Sequence, residues 1–267
     1  MISLALAQVL VTPPPIFASP TPTPLSERGA IESRLAQASA HAKALGGTLG
    51  AVVIDAATGA SVAVEGDARF PLAEVRNLAI ALAAYERVDR HRLTDDAALR
   101  EKIARMLDAH DAQATASLLT MLGGSEAVDE ALRDDGLDAI FVGDDGRGTA
   151  TPRALAALFT KLFQGDLLSS SSRAALLAQL ARDRSAPERL RAGFPRRAFL
   201  AHVTGTSPAR DGVVAATNDA GIVTVNGRTL VVVAMLRDAR GDAAARDAIL
   251  ASVARAVAEA TALFPLQ

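Results

Sequence analysis

Apolar residues recur at Ile31, Leu35, Ala38 and Ala42, and the run stops at Gly46-Gly47. Three-to-four spacing lines one face of a helix, so residues 29–45 are predicted helical. The pattern then changes. Residues 49–55 and 61–65 are short β-rich runs separated by Ala56-Ala57-Thr58-Gly59-Ala60, which predicts a hairpin. From Pro71 to about Arg191 the runs are rich in Leu and Ala and read as helices. Breaks fall at His91-Arg92, Gly123-Gly124, the 143–148 loop and the serines of 169–172. Strand-like runs return at 198–203, 221–225 and 230–236. A last helix from Asp242 to about Leu263 carries Ile249, Val253 and Val257 on one face. This order predicts an α/β (α+β) fold: an antiparallel sheet of about five strands, flanked by N- and C-terminal helices, with an inserted all-helical lobe. Residues 28–68 and 196–267 would form the α/β lobe and 69–195 the helical one. The cleft between two such lobes is the expected place for a site.

Residues 1–27 stand apart from this pattern. An apolar run at 2–11, too short to span a bilayer, precedes a proline-rich stretch at 13–24. Ala5-Leu6-Ala7 before Gln8 fits a signal-peptidase site, although no basic residue precedes the apolar run. Export is therefore expected, to the periplasm or out of the cell, with the start codon upstream of Met1 and residues 13–24 as a tether.

Composition narrows the chemistry. Half of the 267 residues are hydrophobic and only 3% are aromatic, so Leu, Val and Ala must fill the core. Stacking platforms for bases are excluded. The 28 basic and 30 acidic residues are interspersed without a basic stripe, which argues against nucleic acid as a partner. Absence of cysteine excludes thiolate catalysis and Cys-bound metal. His41, His91, His110 and His202 are too scattered for paired ligation, so neither a metal nor another cofactor is expected.

Three stretches carry a resemblance to a known family. Arg69-Phe70-Pro71-Leu72-Ala73-Glu74-Val75-Arg76-Asn77, running on through Ile80 to Asp89, resembles the segment of class A serine β-lactamases in which Phe-Pro precedes the S-x-x-K motif. Asp111, with Leu118 to Gly124, is similar to the family's S-D-N helix and its closing glycine pair. Thr204-Gly205-Thr206-Ser207, Ala215 to Val223 and Leu230 to Leu236 resemble the K-T-G strand and the two strands after it, in the Asn-Asp-x-Gly-Ile form of the extended-spectrum branch. Thr151-Pro152-Arg153 matches the start of a later helix. The resemblance runs in order from about Arg28 to the C-terminus and implies the fold of the β-lactamase and penicillin-binding-protein superfamily.

The same resemblance implies that its chemistry is missing. Glu74 takes the serine's place and Asn77 the lysine's, and no Ser-x-x-Lys occurs around Lys43, Lys102 or Lys161, the only lysines. A hydroxyl needs such a neighbour to lose its proton. S-D-N becomes His110-Asp111-Ala112 and K-T-G becomes Val203-Thr204-Gly205. The loop matching the family's glutamate-bearing omega loop holds Asp144 and Asp145 but no Glu, and two acids in a Gly-rich turn are ordinarily solvated.

The leading expectation is a catalytically inactive envelope protein that binds or scaffolds, with Glu74, His110, Thr204, Gly205 and Thr206 as its ligand-binding residues. Its ligand would be a small molecule or a peptidoglycan-like compound. Glu74 would steady the helix start and pair with His110 or Arg76. Two alternatives stay open: a hydrolase of altered mechanism in which Glu74 and His110 act on an ester, amide or peptidoglycan-like substrate, and a residual β-lactamase. Alternation turns His202 away from the face of Val203, toward a packed or hydrogen-bonded place. Arg210 and Arg228, beside strand connections, are candidates to receive an anion.

Overall fold

The central strand of the main sheet reads Arg-Thr-Leu-Val-Val-Val-Ala-Met-Leu-Arg, an apolar run bounded by arginines, and its interior positions are buried. A strand so uniformly apolar must be covered on both faces, and it is. In this computed structural model residues 25–144 and 147–263 are described. The expected signal and the proline-rich tether, together with Asp145, lie outside the described residues. The five strands are β1 (Thr48–Asp55), β2 (Ser61–Val64), β6 (Phe199–Thr206), β9 (Thr217–Val225) and β10 (Arg228–Arg237), in the order β2-β1-β10-β9-β6. Every neighbouring pair is antiparallel.

Side chains alternate between the two faces. Leu49, Ala51, Val53, Val232, Ala234 and Leu236 face α1 (Leu25–Ala44) and α9 (Ala243–Leu263), which pack together over that side. Val52, Val203, Ala220, Val231, Val233 and Met235 face the inserted helices. Each fully buried Val or Leu contributes roughly 1.5–3 kcal/mol of transfer free energy, so the two layers hold the sheet from both sides.

The insertion is built around α2 (Asn77–Asp89), whose residues from Asn77 through Glu86 are all buried. Around it lie α3 (Ala97–Asp108), α4 (Ala112–Leu122), α5 (Ser125–Asp134) and α7 (Ser170–Leu180); α6 (Pro152–Gln164) packs on β1, β9 and β10, and α8 (Leu190–Gly193) packs against α9. Caps explain the boundaries. Asp96 accepts from Leu99 N, Asp111 from Gln113 N and Ala114 N, and Thr151 from Ala154 N, with Pro152 in the first turn. Gly123 closes α4 at a φ of 88°, a left-handed conformation that costs glycine little.

The structure corrects the all-helical expectation for residues 71–191 in one respect. β3 (Phe70–Pro71), β5 (Thr149–Ala150) and β4 (Ile140–Phe141) form a small second sheet; beyond that range, β7 (Ala209–Arg210) pairs with β8 (Val213–Val214). Two-residue strands are too short to leave a period in the sequence. β9 also begins at Thr217, four residues before the apolar run, because the buried polar residues Asn218 and Asp219 mask its start.

Candidate functional site

Glu74 stands on a single 3-10 turn, Ala73–Arg76, between β3 and α2. Strand β6 passes against the backbone of this turn, and Gly205 is what allows the approach. A Cβ at Gly205 would lie 2.8 Å from Glu74 N and 2.9 Å from Val75 N, closer than packed atoms tolerate. Asn218, on the neighbouring strand, fixes the other end of the segment by donating Nδ2 to the carbonyls of Pro71 (2.8 Å) and Leu72 (3.0 Å).

With turn and strand so placed, the Glu74 carboxylate meets the edge of β6. Its Oε2 accepts the backbone N–H of Thr206 at 2.8 Å. Charge-assisted bonds of this kind are about twice as strong as neutral ones. Glu74 does not form the expected pair with His110 or Arg76: its hydrogen bond goes to Thr206, and Arg76 donates to the Gly143 carbonyl at 3.1 Å. His110 sits at a φ of 50°, and its Nε2 is buried without a hydrogen-bond partner. Asn77 is buried and donates to the Met106 carbonyl at 3.1 Å. Asp111 caps α4 and pairs with Arg105, and Ala112 opens that helix. Among the expected residues the fold thus brings Glu74, Gly205 and Thr206 into contact.

Behind β6 lies a polar layer that the sequence did not single out. Arg189 is buried and fully engaged: Nε with Asp247 at 2.7 Å, Nη1 with the carbonyls of Gly205 (3.2 Å) and Asn218 (3.0 Å), Nη2 with Thr206 Oγ1. Nothing local distinguishes Arg189 from Arg184 or Arg191, and its counter-ion lies on α9. Thr204 shares a 2.6 Å hydrogen bond with Ser185. His202 is buried with Nδ1 2.8 Å from Asp219. Burial opposes its charge, but the carboxylate of Asp219 and the charge and backbone of Asp183 prevail and raise its pKa above 6.5. Val203 points the other way, into the core against the helices.

Arg228 requires a correction. Its guanidinium is buried and held by Glu27 and Asp55, so it is not available to an external anion. Arg210 lies exposed on β7. Asp144 accepts a hydrogen bond from Ser125, which ties Asp144 to the start of α5. Among the described residues no three metal-ligating side chains gather, and no helix is long and apolar enough to cross a membrane.

The arrangement offers a carboxylate seated on a backbone donor, a buried amide one turn further along and a strand edge. Three comparisons give it a context. The AST-1 β-lactamase of Nocardia asteroides is 29% identical over 252 residues, covering 80% of this chain and 79% of that protein. A β-lactamase of Streptomyces fradiae is 30% identical over 252 residues, covering 79% and 81%. A solved structure of an ancestral class A β-lactamase superposes with a TM-score of 0.76 at 31% identity, covering 86% of this chain and 99% of the other. The family described as the beta-lactamase enzyme family matches residues 96–261. The chain belongs to that family.

Proposed function

We propose that this protein has lost the acyl-transfer chemistry of its family and serves as a binding or scaffolding protein of the cell envelope. The observation that carries the reading is the bond between Glu74 and Thr206. Acyl transfer needs backbone N–H groups directed at a developing oxyanion. Here a strand-edge N–H beside the helix head already donates to a fixed carboxylate, whose charge would repel such an anion. By the family resemblance Glu74 also replaces the serine nucleophile and Asn77 its lysine, and the Asn77 amide is spent on Met106. Removing a nucleophile alone costs on the order of 10⁶ in rate in a serine hydrolase. The apolar segment and proline-rich stretch at the amino end support export.

The test is turnover of a chromogenic cephalosporin combined with labelling by a fluorescent penicillin. No turnover above background and no adduct are expected. A covalent adduct, or saturable turnover, would return the protein to the β-lactamases.

One observation favours a second reading. The Nε2 of His110 is buried without a hydrogen-bond partner, and a polar atom left orphaned in this way is one mark of a catalytic role, which suits a hydrolase acting on an ester, amide or peptidoglycan-like substrate through Glu74 and His110. Ester hydrolysis that persists in a Glu74→Ala, His110→Ala double variant would eliminate it.

A further inference from the structure

We infer that the strand edge at Glu74 takes a cationic, amine-bearing ligand in place of a carboxylate. This rests on the reading of a site without acyl transfer and adds the charge of what binds there. Glu74 is half-buried; Oε2 accepts from Thr206 N–H, and Oε1 has no hydrogen bond among the described residues. None of the ion pairs among those residues includes Glu74. Of the cations on the surrounding elements, Arg189, Arg105 and Arg76 are committed elsewhere, while Arg210, on β7 beyond Thr206, is exposed and belongs to none of these ion pairs. Arg189 is neutralised by Asp247 and spends its other N–H groups on β6 and β9. Arg105, next to the Met106 carbonyl that holds Asn77, is paired with Asp111. Arg76 donates to Gly143. The three lysines lie on α1, α3 and α6, and Asn77 brings no charge.

Edge geometry supplies a second acceptor. The N–H of Thr206 points away from β9 toward the turn, and within a strand a residue's N–H and C=O face the same side. The Thr206 carbonyl therefore lies on the same edge as Glu74. A primary ammonium has three donors and no acceptor, so it matches one carboxylate oxygen and one carbonyl. A carboxylate ligand would find the Thr206 N–H occupied and a like charge beside it.

The experiment titrates the full chain with dansylcadaverine, a primary amine, and with dansylglycine, a carboxylate. Fluorescence anisotropy reads affinity and the ¹⁵N–¹H signal of Thr206 reads location. The amine is expected to bind and to move the Thr206 signal, and Glu74→Gln to weaken it at least tenfold. In the unaltered protein, raising ionic strength from about 0.05 to about 0.5 M should weaken it severalfold, a readout that needs no variant. No amine binding at millimolar concentration, binding unaffected by salt or by Glu74→Gln, or a Thr206 shift with dansylglycine would each overturn the inference. Penicillin labelling is a separate readout: an adduct defeats the underlying reading, whereas probe charge and salt dependence decide this one.

Discussion

Buried charges are handled in opposite ways on the two sides of this molecule. Around the five-stranded sheet three buried cations are met by acids: Arg228 by Glu27 and Asp55, Arg189 by Asp247, His202 by Asp219. Inside the helical insertion Glu86, 4% exposed near the end of α2, is set against another acid, Asp135 at the end of α5. Burial, then the hydrogen bond to Asp135 and its negative charge, push the Glu86 carboxyl up to about 8, with Arg90 opposing only in part. Asp55 goes the other way: despite burial, Arg228 and the N–H groups of Thr58 and Ala57 hold it below its ordinary value. A protein can thus bury an acid either by supplying a cation or by keeping its proton, and the two choices leave different signatures.

The largest of these is expected from Arg228→Met. Truncating the cation leaves two carboxylates buried at the junction of α1, β1 and β10, a loss on the order of 3–5 kcal/mol, read as a lower urea midpoint at unchanged slope. A loss below about 1 kcal/mol would mean that the sheet-side network is surface-like and would erase the contrast.

Glu86→Gln should act in the opposite direction. An acid whose folded pKa is raised binds more protons folded than unfolded between its ordinary 4.5 and about 8. Its charged form therefore costs stability progressively as pH rises through that window, and the cost is absent below it. The glutamine variant is expected to match the native protein near pH 4 and to exceed it by about 1–3 kcal/mol near pH 8. Urea unfolding at a series of pH values measures this, and a variant less stable at pH 8 would show Glu86 to be ionised and favourably paired.

His202 separates the two sides further. As a base with a raised pKa, its pairing with Asp219 stabilises fully below pH 6.5 and is lost as pH rises through the folded midpoint. In the Glu86→Gln background, a decline is therefore expected to begin only above pH 6.5. A carbon-detected titration of the His202 ring gives the midpoint directly; a value below 6.5 breaks the assignment.

These contrasts mark what was legible in the sequence. The sheet, its flanking helices and the order of the inserted helices were readable because long apolar runs carry a period. Gly205 and Thr206 were readable as site positions because they belong to a recognisable strand motif. The partner of Glu74 was not: His110 was the natural choice by chemistry, but the positions of Leu72, Gly205 and Asn218 bring Thr206 N–H to the carboxylate. Arg189 escaped notice because its contacts with Asp247, Gly205 and Asn218 depend on three elements meeting.

Glu74 belongs to neither class of buried acid, since among the described residues no cation pairs with it and it is only half-buried, with one backbone donor. Glu74→Gln keeps an acceptor for Thr206 N–H and removes only the charge, so its effect should be the smallest here, within about 1 kcal/mol at neutral pH. Calorimetric melting of the variant beside the native chain measures it. A loss several times larger would make Glu74 a structural clamp between the turn and β6 and would weaken the case for a ligand there. A near-neutral result leaves a half-buried carboxylate that the fold does not need, at the point where the helix head meets a strand edge, and the role left for such a charge is in what that edge receives.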